Sequence, residues 1–362
     1  MKEKIQNINV LYIPPKEHRN DMTKINLFTK DQSKAINEIG ANFVVFQGET
    51  DGELIEALKD ADVAINQGHS ISTDIYSEIG NNGRCKGITF FGQGFDKLDL
   101  ETATKNGVIL TNTASFGTEE VSNHTIMLFL LCSRKYVLHD NLMRSGVWTR
   151  EHLSPMGHIM GQTFGIVGLG NIGRAVARKA KAFGLKVIAY DPYISSWDAK
   201  EYDITMYDDL YKLANDSDYV SPHVYLNNET KHMIDKKFFD AMKHTAYIIN
   251  CSRGPVIDEK SLIYALKNND IAGAGLDVFE TEPIDKDNPL LGMKNVAVTN
   301  HYASYSEVAW TRGNQQVGEE AMRIALGYWP MSVINPDVSA FIEPMKQSKS
   351  WDLIKKEYKN LF

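Results

Sequence analysis

Three short segments in the C-terminal half of the chain carry side chains that can bind an acid and move a proton. They are residues 250–254, 277–283 and 299–301. The Arg253 guanidinium offers two parallel donors to a carboxylate. His301 exchanges a proton near neutral pH, and the Glu282 carboxylate can fix its tautomer and favour the protonated ring. This set suits the interconversion of a 2-hydroxy acid and a 2-keto acid.

Each of these residues also has a purely structural interpretation. Arg253 can form a surface ion pair, Glu282 can be an ordinary loop carboxylate, and His301 is one of ten histidines. Cys251 offers a nucleophile of the aldehyde-oxidising kind, but its position at the end of an apolar strand favours a small buried residue. The catalytic interpretation is favoured because the residues follow predicted strands downstream of a dinucleotide motif.

That motif is the sequence Gly168-Leu169-Gly170-Asn171-Ile172-Gly173, which lies between an apolar run and a helical pattern. The glycines permit a tight turn and a close approach to a pyrophosphate, and the helix N-terminus favours the anion. Asp191 ends the next predicted strand, where a carboxylate accepts from the ribose hydroxyls of NAD and repels the 2′-phosphate of NADP. The alternative is a glycine turn that only packs helix on strand. We predict NAD as the cofactor.

Two βα series position these segments. The first has predicted strands at 8–13, 41–47, 63–66, 87–91 and 108–111, and helices at 54–59 and 99–105. The second has predicted strands at 163–168, 186–191, 219–224, 246–251, 274–279 and 296–300. This alternation predicts an α/β fold with two doubly wound parallel sheets, whose ligands bind at the carboxyl ends of the strands.

Helical patterns connect and complete the two series. One runs from 118 to 143, with Thr118 as its N-cap and Glu119 and Glu120 in the first turn. Another runs from about 306 to 328, and a proline-containing segment that we predict to be irregular precedes a charged terminal stretch. The first pattern is expected to connect two domains.

Composition excludes several classes of protein. The chain has 362 residues, 43% hydrophobic and 23% charged, and this length suffices for two domains. A net charge of −7 with dispersed basic residues argues against a nucleic-acid partner. Three cysteines match neither a disulfide framework nor a zinc site, so no metal is expected. Without a signal-peptide pattern, and with 126–132 as the longest apolar run, we expect a cytoplasmic protein with no membrane partner.

From about residue 60 to 325 the chain resembles the D-isomer-specific 2-hydroxyacid dehydrogenases. The matching segments are 92–99, the glycine motif with Asp191, 250–258, 275–283 and His301. The resemblance implies an NAD-dependent oxidoreductase acting on the CH-OH group of donors, with Arg253, Glu282 and His301 as its catalytic residues. It also implies that Asp277 lies beside the nicotinamide amide.

The resemblance also implies an architecture. A Rossmann domain of residues 117–304 binds NAD, and a flavodoxin-like substrate domain comprises residues 1–116 completed by 305–362. An interdomain cleft is expected between them. The usual assembly of the family is a homodimer built on the NAD-binding domain.

On this basis we predict the contacts of the cofactor and of the acid. The cofactor-binding residues are Gly168, Gly170, Asn171, Ile172, Gly173, Asp191, Val224, Tyr225, Thr230, Cys251, Ser252, Arg253, Asp277, His301 and Ser304. The 2-keto acid is expected to lie between Arg253 and backbone N–H groups of the loops Gln67-Gly68-His69 and Gln93-Gly94. No arginine cluster beyond Arg253 is visible near these loops, which disfavours a phosphorylated substrate.

Segments 183–193 and 301–307 are most similar to the C-terminal-binding protein branch of the family, whose members act as NAD-sensing corepressors. Ser304 replaces the tryptophan of that branch, and Asn300 stands where a proline commonly precedes the histidine. The alternative function is therefore an NAD(H)-sensing, corepressor-like binding protein with incidental dehydrogenase activity. Formate dehydrogenases have a glutamine where Glu282 stands, which disfavours formate.

Overall fold

The computed structural model describes residues 7–359, and it divides the chain into two compact units. One unit is Met1–Phe116 together with Glu307–Phe362, and the other is Gly117–Ser306. Residues 1–6 and 360–362, the ends of the predicted substrate domain, lie outside the described residues. Each unit contains one parallel sheet flanked by helices, which confirms the predicted α/β class.

The first unit begins with five strands and four helices that alternate along the chain. The strands are β1 (Asn9–Ile13), β2 (Asn42–Val45), β3 (Val63–Asn66), β4 (Gly87–Phe90) and β5 (Ile109–Thr111). The helices are α1 (Met22–Ile39), α2 (Asp51–Lys59), α3 (Thr73–Asn82) and α4 (Leu100–Lys105). The parallel strands lie in the flavodoxin-like order β2-β1-β3-β4-β5.

The second unit has a seven-stranded sheet. Its strands are β6 (Thr163–Val167), β7 (Lys186–Tyr190), β8 (Thr205–Tyr207), β9 (Tyr219–Pro222), β10 (Tyr247–Asn250), β11 (Gly273–Leu276) and β12 (Val296–Val298). Its helices are α5 (Thr118–Ser133), α6 (Tyr136–Arg144), α7 (Asn171–Ala182), α8 (Ser196–Glu201), α9 (Leu210–Asp216), α10 (Lys236–Ala241) and α11 (Glu259–Lys267). The order β12-β11-β10-β9-β6-β7-β8 reverses between β6 and β9, and such a switch point binds dinucleotides in Rossmann folds.

The last two helices, α12 (Glu307–Ala325) and α13 (Trp351–Lys359), return to the first unit. Val317 and Met322 of α12 belong to the same buried cluster as Ile36 of α1. A Cβ atom at Gly318 would lie 2.0 Å from the carbonyl oxygen of Gln32, so glycine permits the close approach of α12 to α1. Helix α12 therefore completes the core of the first unit.

The structure corrects the sequence prediction at several places. Thr118 begins α5 but does not cap it, because the N-cap residue is Gly117 and no side chain caps the helix. The helical pattern 118–143 is broken into α5 and α6 at Lys135, whose φ is +52°. The edge strand β8 was not predicted, and the terminal stretch contains α13. Among residues 7–359, no helix is both long enough and apolar enough to span a bilayer.

Candidate active site

The glycine loop connects β6 to α7, and each of its three positions holds glycine for a different structural reason. Gly168 has φ +94°, a conformation that disfavours other residues. A Cβ atom at Gly173 would lie 2.2 Å from the Gly168 carbonyl oxygen, so the loop packs tightly on the helix. Gly170 is the N-cap of α7, and a Cβ atom there would meet no atom of residues 7–359 within 4 Å beyond its chain neighbours and the helix backbone. This open space beside a helix N-terminus fits a pyrophosphate.

Asp191 directly follows β7, and its carboxylate reaches the glycine loop. One oxygen accepts the backbone N–H of Leu169 at 2.8 Å, and the other accepts the N–H of Tyr193 at 2.9 Å. Asn171 and Ile172 form the first turn of α7. The structure thus brings the acidic residue and the glycine motif together, as their spacing predicts.

The segments after β9 and β10 carry six further residues of the predicted cofactor set, which are Val224, Tyr225, Thr230, Cys251, Ser252 and Arg253. Beyond Val224, the loop is closed by the Thr230 hydroxyl, which donates to the Tyr225 carbonyl at 2.6 Å. The Ser252 hydroxyl donates to the Asn250 side chain at 2.8 Å. Cys251 is buried, and burial raises the pKa of its thiol, which agrees with a structural cysteine rather than a nucleophile.

Three neighbouring parallel strands position the predicted catalytic residues. Asn250, Leu276 and Val298 are paired across β10, β11 and β12, and Arg253 and His301 each lie three residues beyond this row. The buried Asn250 amide donates to the Arg253 carbonyl at 2.9 Å and so holds the start of that loop. The three strands therefore end with their functional side chains at one edge of the sheet.

The loops after β10 and β11 touch. A Cβ atom at Gly254 would lie 1.8 Å from the carbonyl oxygen of Phe279, so only glycine fits beside Arg253. The Arg253 guanidinium also donates to the Ser252 carbonyl at 2.8 Å. The close approach of Gly254 to Phe279 places the loop that carries Arg253 against the one that carries Glu282.

His301 is paired with Glu282. Its Nδ1 lies 2.6 Å from one carboxylate oxygen, and the other oxygen accepts the Phe279 N–H at 3.0 Å. The two side chains are 45% and 35% exposed, so solvent and small molecules can reach them. Because Glu282 occupies Nδ1, Nε2 is the ring nitrogen left for proton transfer.

The buried Asp277 carboxylate holds the turn that carries His301. It accepts the Thr299 hydroxyl at 2.6 Å and the N–H groups of Tyr302 and Ala303 at 3.2 and 3.1 Å. The Asp277 carbonyl accepts the His301 N–H at 2.8 Å. In this structure, the carboxylate predicted to face nicotinamide has internal partners of its own. The next residue of the predicted cofactor set, Ser304, is half-buried and lies against Gly117.

His124 of α5 is a site residue that the sequence analysis missed. Its Nε2 lies 2.8 Å from the Thr299 hydroxyl oxygen and 3.4 Å from Asp277. Because Thr299 donates its one hydroxyl hydrogen to Asp277, it accepts from the N–H of His124. Burial lowers the pKa of His124, while Asp277 opposes that shift. A histidine within an apolar helical pattern was the available sequence signal.

The predicted acid-binding loops lie in the first unit. The N–H of Gln67 donates to Ile13 at 3.0 Å and that of His69 to the Asn66 side chain at 2.9 Å, so both are engaged within the unit. Gly68 has φ +104°, and its N–H has no partner among residues 7–359. In the other loop, the Gln93 amide donates to Ala114 at 3.1 Å beside the half-buried Gly94.

Comparison with known proteins decides the family. The model of the D-isomer specific 2-hydroxyacid dehydrogenase NAD binding domain matches residues 126–303. A glyoxylate reductase of Korarchaeum cryptofilum is 39% identical over 290 residues, which cover 79% of this chain and 86% of that protein. This chain belongs to the D-isomer-specific 2-hydroxyacid dehydrogenase family. As a member of that family it is an NAD-dependent oxidoreductase, so the predicted family, enzyme class and cofactor are confirmed.

Other relatives of this D-2-hydroxyacid dehydrogenase differ in length and in cofactor. A D-3-phosphoglycerate dehydrogenase of Methanocaldococcus jannaschii is 36% identical over 84% of this chain, which spans 57% of that longer protein. The crystal structure of an NADPH-dependent glyoxylate/hydroxypyruvate reductase from Sinorhizobium meliloti, with NADP and malonate, is 25% identical. It covers 95% of this chain and 99% of its own, with a TM-score of 0.77. These relatives do not decide the C-terminal-binding-protein-like branch, which stays a prediction.

The His223 ring has no hydrogen-bond partner among residues 7–359, although the residue lies beside the glycine loop. It follows β9, its backbone N–H donates to Val167, and both ring nitrogens are buried without a hydrogen bond among the described residues. Burial lowers the pKa of the ring to about 3. The folded chain therefore keeps His223 neutral, whereas the unfolded chain protonates it below about pH 6.5.

We predict that His223 makes the second unit less stable in acid. Because the unfolded state binds the extra proton, the free energy of unfolding falls as the pH drops below about 6.5, with a limiting slope of about 1.4 kcal/mol per pH unit. Between pH 7 and 5 the free energy of unfolding, measured in urea, should fall by about 2 kcal/mol more for the wild type than for His223→Leu. A His244→Gln variant, which changes an exposed histidine, should keep the wild-type loss. Equal losses in wild type and His223→Leu would contradict the prediction.

Proposed function

We propose that this chain reduces a small 2-keto acid to its D-2-hydroxy acid, and carries out the reverse oxidation. Arg253 binds the carboxylate, His301 moves the proton, and Glu282 holds the His301 ring. The observation that carries this proposal is the 2.6 Å contact between His301 Nδ1 and the Glu282 carboxylate. A positioned imidazole with one free nitrogen is what a proton transfer to a keto oxygen requires.

NADH supplies the hydride to the α-carbon when it is bound. The charged Arg253 holds the acid by its carboxylate and stabilises the negative charge that develops on the keto oxygen. His301 then gives its Nε2 proton to that oxygen, and the carbonyl becomes a hydroxyl group. In the oxidation direction, the neutral ring accepts the same proton. Glu282 holds the ring through Nδ1 and leaves Nε2 for this transfer.

The second unit has the residues to hold the dinucleotide. The open space at Gly170 and the N-terminus of α7 suit the pyrophosphate, and Asp191 suits the ribose hydroxyls. We therefore propose residues 117–304 as the NAD-binding domain. Residues 1–116 with 305–362 are proposed as the substrate domain, with Gln67, Gly68, His69, Gln93 and Gly94 near the acid. Two relatives are named as reductases of glyoxylate and of glyoxylate/hydroxypyruvate, so these are the first 2-keto acids to assay.

Replacing Glu282 with glutamine tests the proton transfer. The amide keeps the shape of the side chain but removes the charged acceptor that holds His301 Nδ1, so Glu282→Gln should lower kcat/KM for keto-acid reduction about tenfold or more. His301→Ala should lose about 10²- to 10⁴-fold in kcat/KM. The measurement is NADH oxidation with a panel of 2-keto acids over a range of pH.

Glu280 provides a matched control in the same loop. It pairs with His232 at 2.9 Å, and its other carboxylate oxygen accepts the N–H of Glu259. Glu280→Gln should therefore keep the wild-type kcat/KM for keto-acid reduction. An unchanged kcat/KM for Glu282→Gln would show that Glu282 does not act on His301. If the wild type turns over none of the acids, the corepressor-like alternative is favoured.

Asp191 is proposed to set the preference for NAD over NADP. Asp191→Ser removes the charge that repels a 2′-phosphate, so the ratio of kcat/KM values for NADH and NADPH should fall by about tenfold or more. Asp203→Ser removes an exposed carboxylate of the same unit that pairs with Lys181, and it should keep the wild-type ratio. Equal use of NADH and NADPH by the wild type would refute this role.

We also propose a homodimer formed through the NAD-binding domain. The segment 136–160 exposes large apolar side chains, among them Tyr136, Met143 and Trp148. A cavity of about 500 Å³ opens beside Leu131 and Leu266 in the same unit. Such exposed apolar surface favours contact with a second protein surface.

Trp148 is 86% exposed and tests the proposed dimer. Trp148→Ser should shift the light-scattering mass toward that of one chain, because it removes a large apolar contact from the interface. Trp197→Ser changes a tryptophan of the same unit that is 77% exposed, and it should not shift the mass. A monomeric wild type, or a dimer that survives Trp148→Ser unchanged at low micromolar concentration, would contradict this assignment.

A further inference from the structure

Arg19 is an almost completely buried arginine, with 1% of its surface exposed. It follows the 3₁₀ turn Lys16–His18 after β1, and its guanidinium lies 5.1 Å from the centre of the Phe46 ring. One terminal nitrogen donates to the Gly48 carbonyl, and the other lies 2.9 Å from Nδ1 of His69. Arg19 therefore joins the loops that follow β1, β2 and β3.

The contact with Arg19 determines the tautomer of His69. A guanidinium has donors only, so Nδ1 of His69 must accept and cannot carry a hydrogen. The ring is then neutral with its hydrogen on Nε2. Protonation would place a donor on Nδ1 directly against the Arg19 donor and would break this contact.

The charges around His69 favour the same state. Burial lowers the pKa of His69, and the charges of Arg19 and Lys16 lower it further, while Asp51 opposes the shift. The Asp51 carboxylate lies 4.0 Å from Nε2, beyond hydrogen-bond distance. At neutral pH the Arg19–His69 contact is therefore intact.

The 66–69 loop is also held by hydrogen bonds to its backbone. The Asn66 side chain accepts the His69 N–H at 2.9 Å and donates to the His69 carbonyl at 2.7 Å. Gly68, with its left-handed conformation, lies between Gln67 and His69, whose N–H groups are both hydrogen-bonded. Arg19 fixes the His69 ring and Asn66 fixes its backbone, so the direction of the Gly68 N–H is set.

A purely structural role explains Arg19 poorly. Its ion pair with Glu49 is long, at 3.7 Å, and the Glu49 side chain is 67% exposed, so the pair stabilises little. The guanidinium Nε has no hydrogen-bond partner among the described residues. Burying a weakly paired charge opposes folding, and an apolar side chain would fill the same space at lower cost.

We propose that Arg19, through one neutral tautomer of His69, positions the 66–69 loop for binding of the acid and thereby sets KM rather than kcat. This inference rests on the proposed function, which places that loop at the substrate. Arg19 and His69 are positioning residues, because neither moves a proton or a hydride in the reaction. Arg19 is too deeply buried to bind a phosphate itself.

Two replacements of His69 separate positioning from packing. His69→Asn keeps an oxygen near the position of Nδ1 that can accept from Arg19 and that does not titrate, whereas His69→Leu fills space without an acceptor. In the NADH-linked assay, His69→Leu should raise KM about tenfold with kcat within about twofold, the loss expected for one hydrogen bond to a charged donor. His69→Asn should raise KM clearly less.

The pH dependence supplies a second readout. Because the pKa of His69 is lowered by burial, its protonation and the loss of the Arg19 contact occur at a pH below the usual histidine range, and there KM of the wild type should rise relative to that of His69→Asn. In nitrogen NMR of labelled imidazole, His69 should give the neutral Nε2–H form at pH 7, and Arg19→Met should lose this single tautomer. Arg84→Met removes an arginine of the same unit that pairs with Asp62, and it controls for a general loss of stability.

The outcomes distinguish this inference from the proposed function. If the wild type reduces a keto acid but His69→Leu and His69→Asn have the same KM, or lose kcat alone, only the positioning role is overturned. A mixture of His69 tautomers in the wild type overturns it as well. If the wild type reduces no acid of the panel, the proposed function fails and this inference fails with it.

Discussion

The second unit depends on a carboxylate that is almost completely withdrawn from solvent. Asp277 would oppose folding if it were buried alone, and its cost is offset by a hydroxyl and two backbone N–H groups that donate to it. Those donors come from the turn 299–303, where His301 adopts φ +54°, a conformation uncommon outside glycine. The burial of one charge thus fixes the backbone of the residue proposed to move the proton. His124 extends this arrangement to α5 through Thr299.

The parallel pairing of β10, β11 and β12 positions the loops that carry the site residues. Because β10, β11 and β12 are in register, the loops that follow them start side by side, although Arg253 and His301 are 48 residues apart in the chain. Gly254 then lets two of these loops touch. Strand register brings the three loops to one edge of the sheet, and glycine permits their closest approach. The side-chain contacts of Asp277 then fix the turn that carries His301.

A buried charged side chain also organises loops in the first unit, but there the charge is positive. There a buried cation, Arg19, joins loops at the carboxyl edge of a parallel sheet, and its hydrogen-bond acceptors are neutral. In both units a buried charged group organises loops and need not contact a reactant. This explains why the segments after the strands keep irregular but fixed conformations, with glycine at Gly68 and Gly168, where φ is positive.

The sequence by itself determined the strands, the glycine motif and the family. Apolar runs of strand length and glycines that tolerate positive φ are local properties, and the catalytic candidates were recognised because each follows such a run. Local patterns could not show the break at Lys135, where an unbroken helical periodicity continues across a residue with φ +52°. Nor could they reveal β8, a three-residue edge strand, or the engagement of the Gln67 and His69 N–H groups. His124 and Arg19 gained their roles only from partners 175 and 50 residues away, because the folded chain decides which donor meets which buried acceptor.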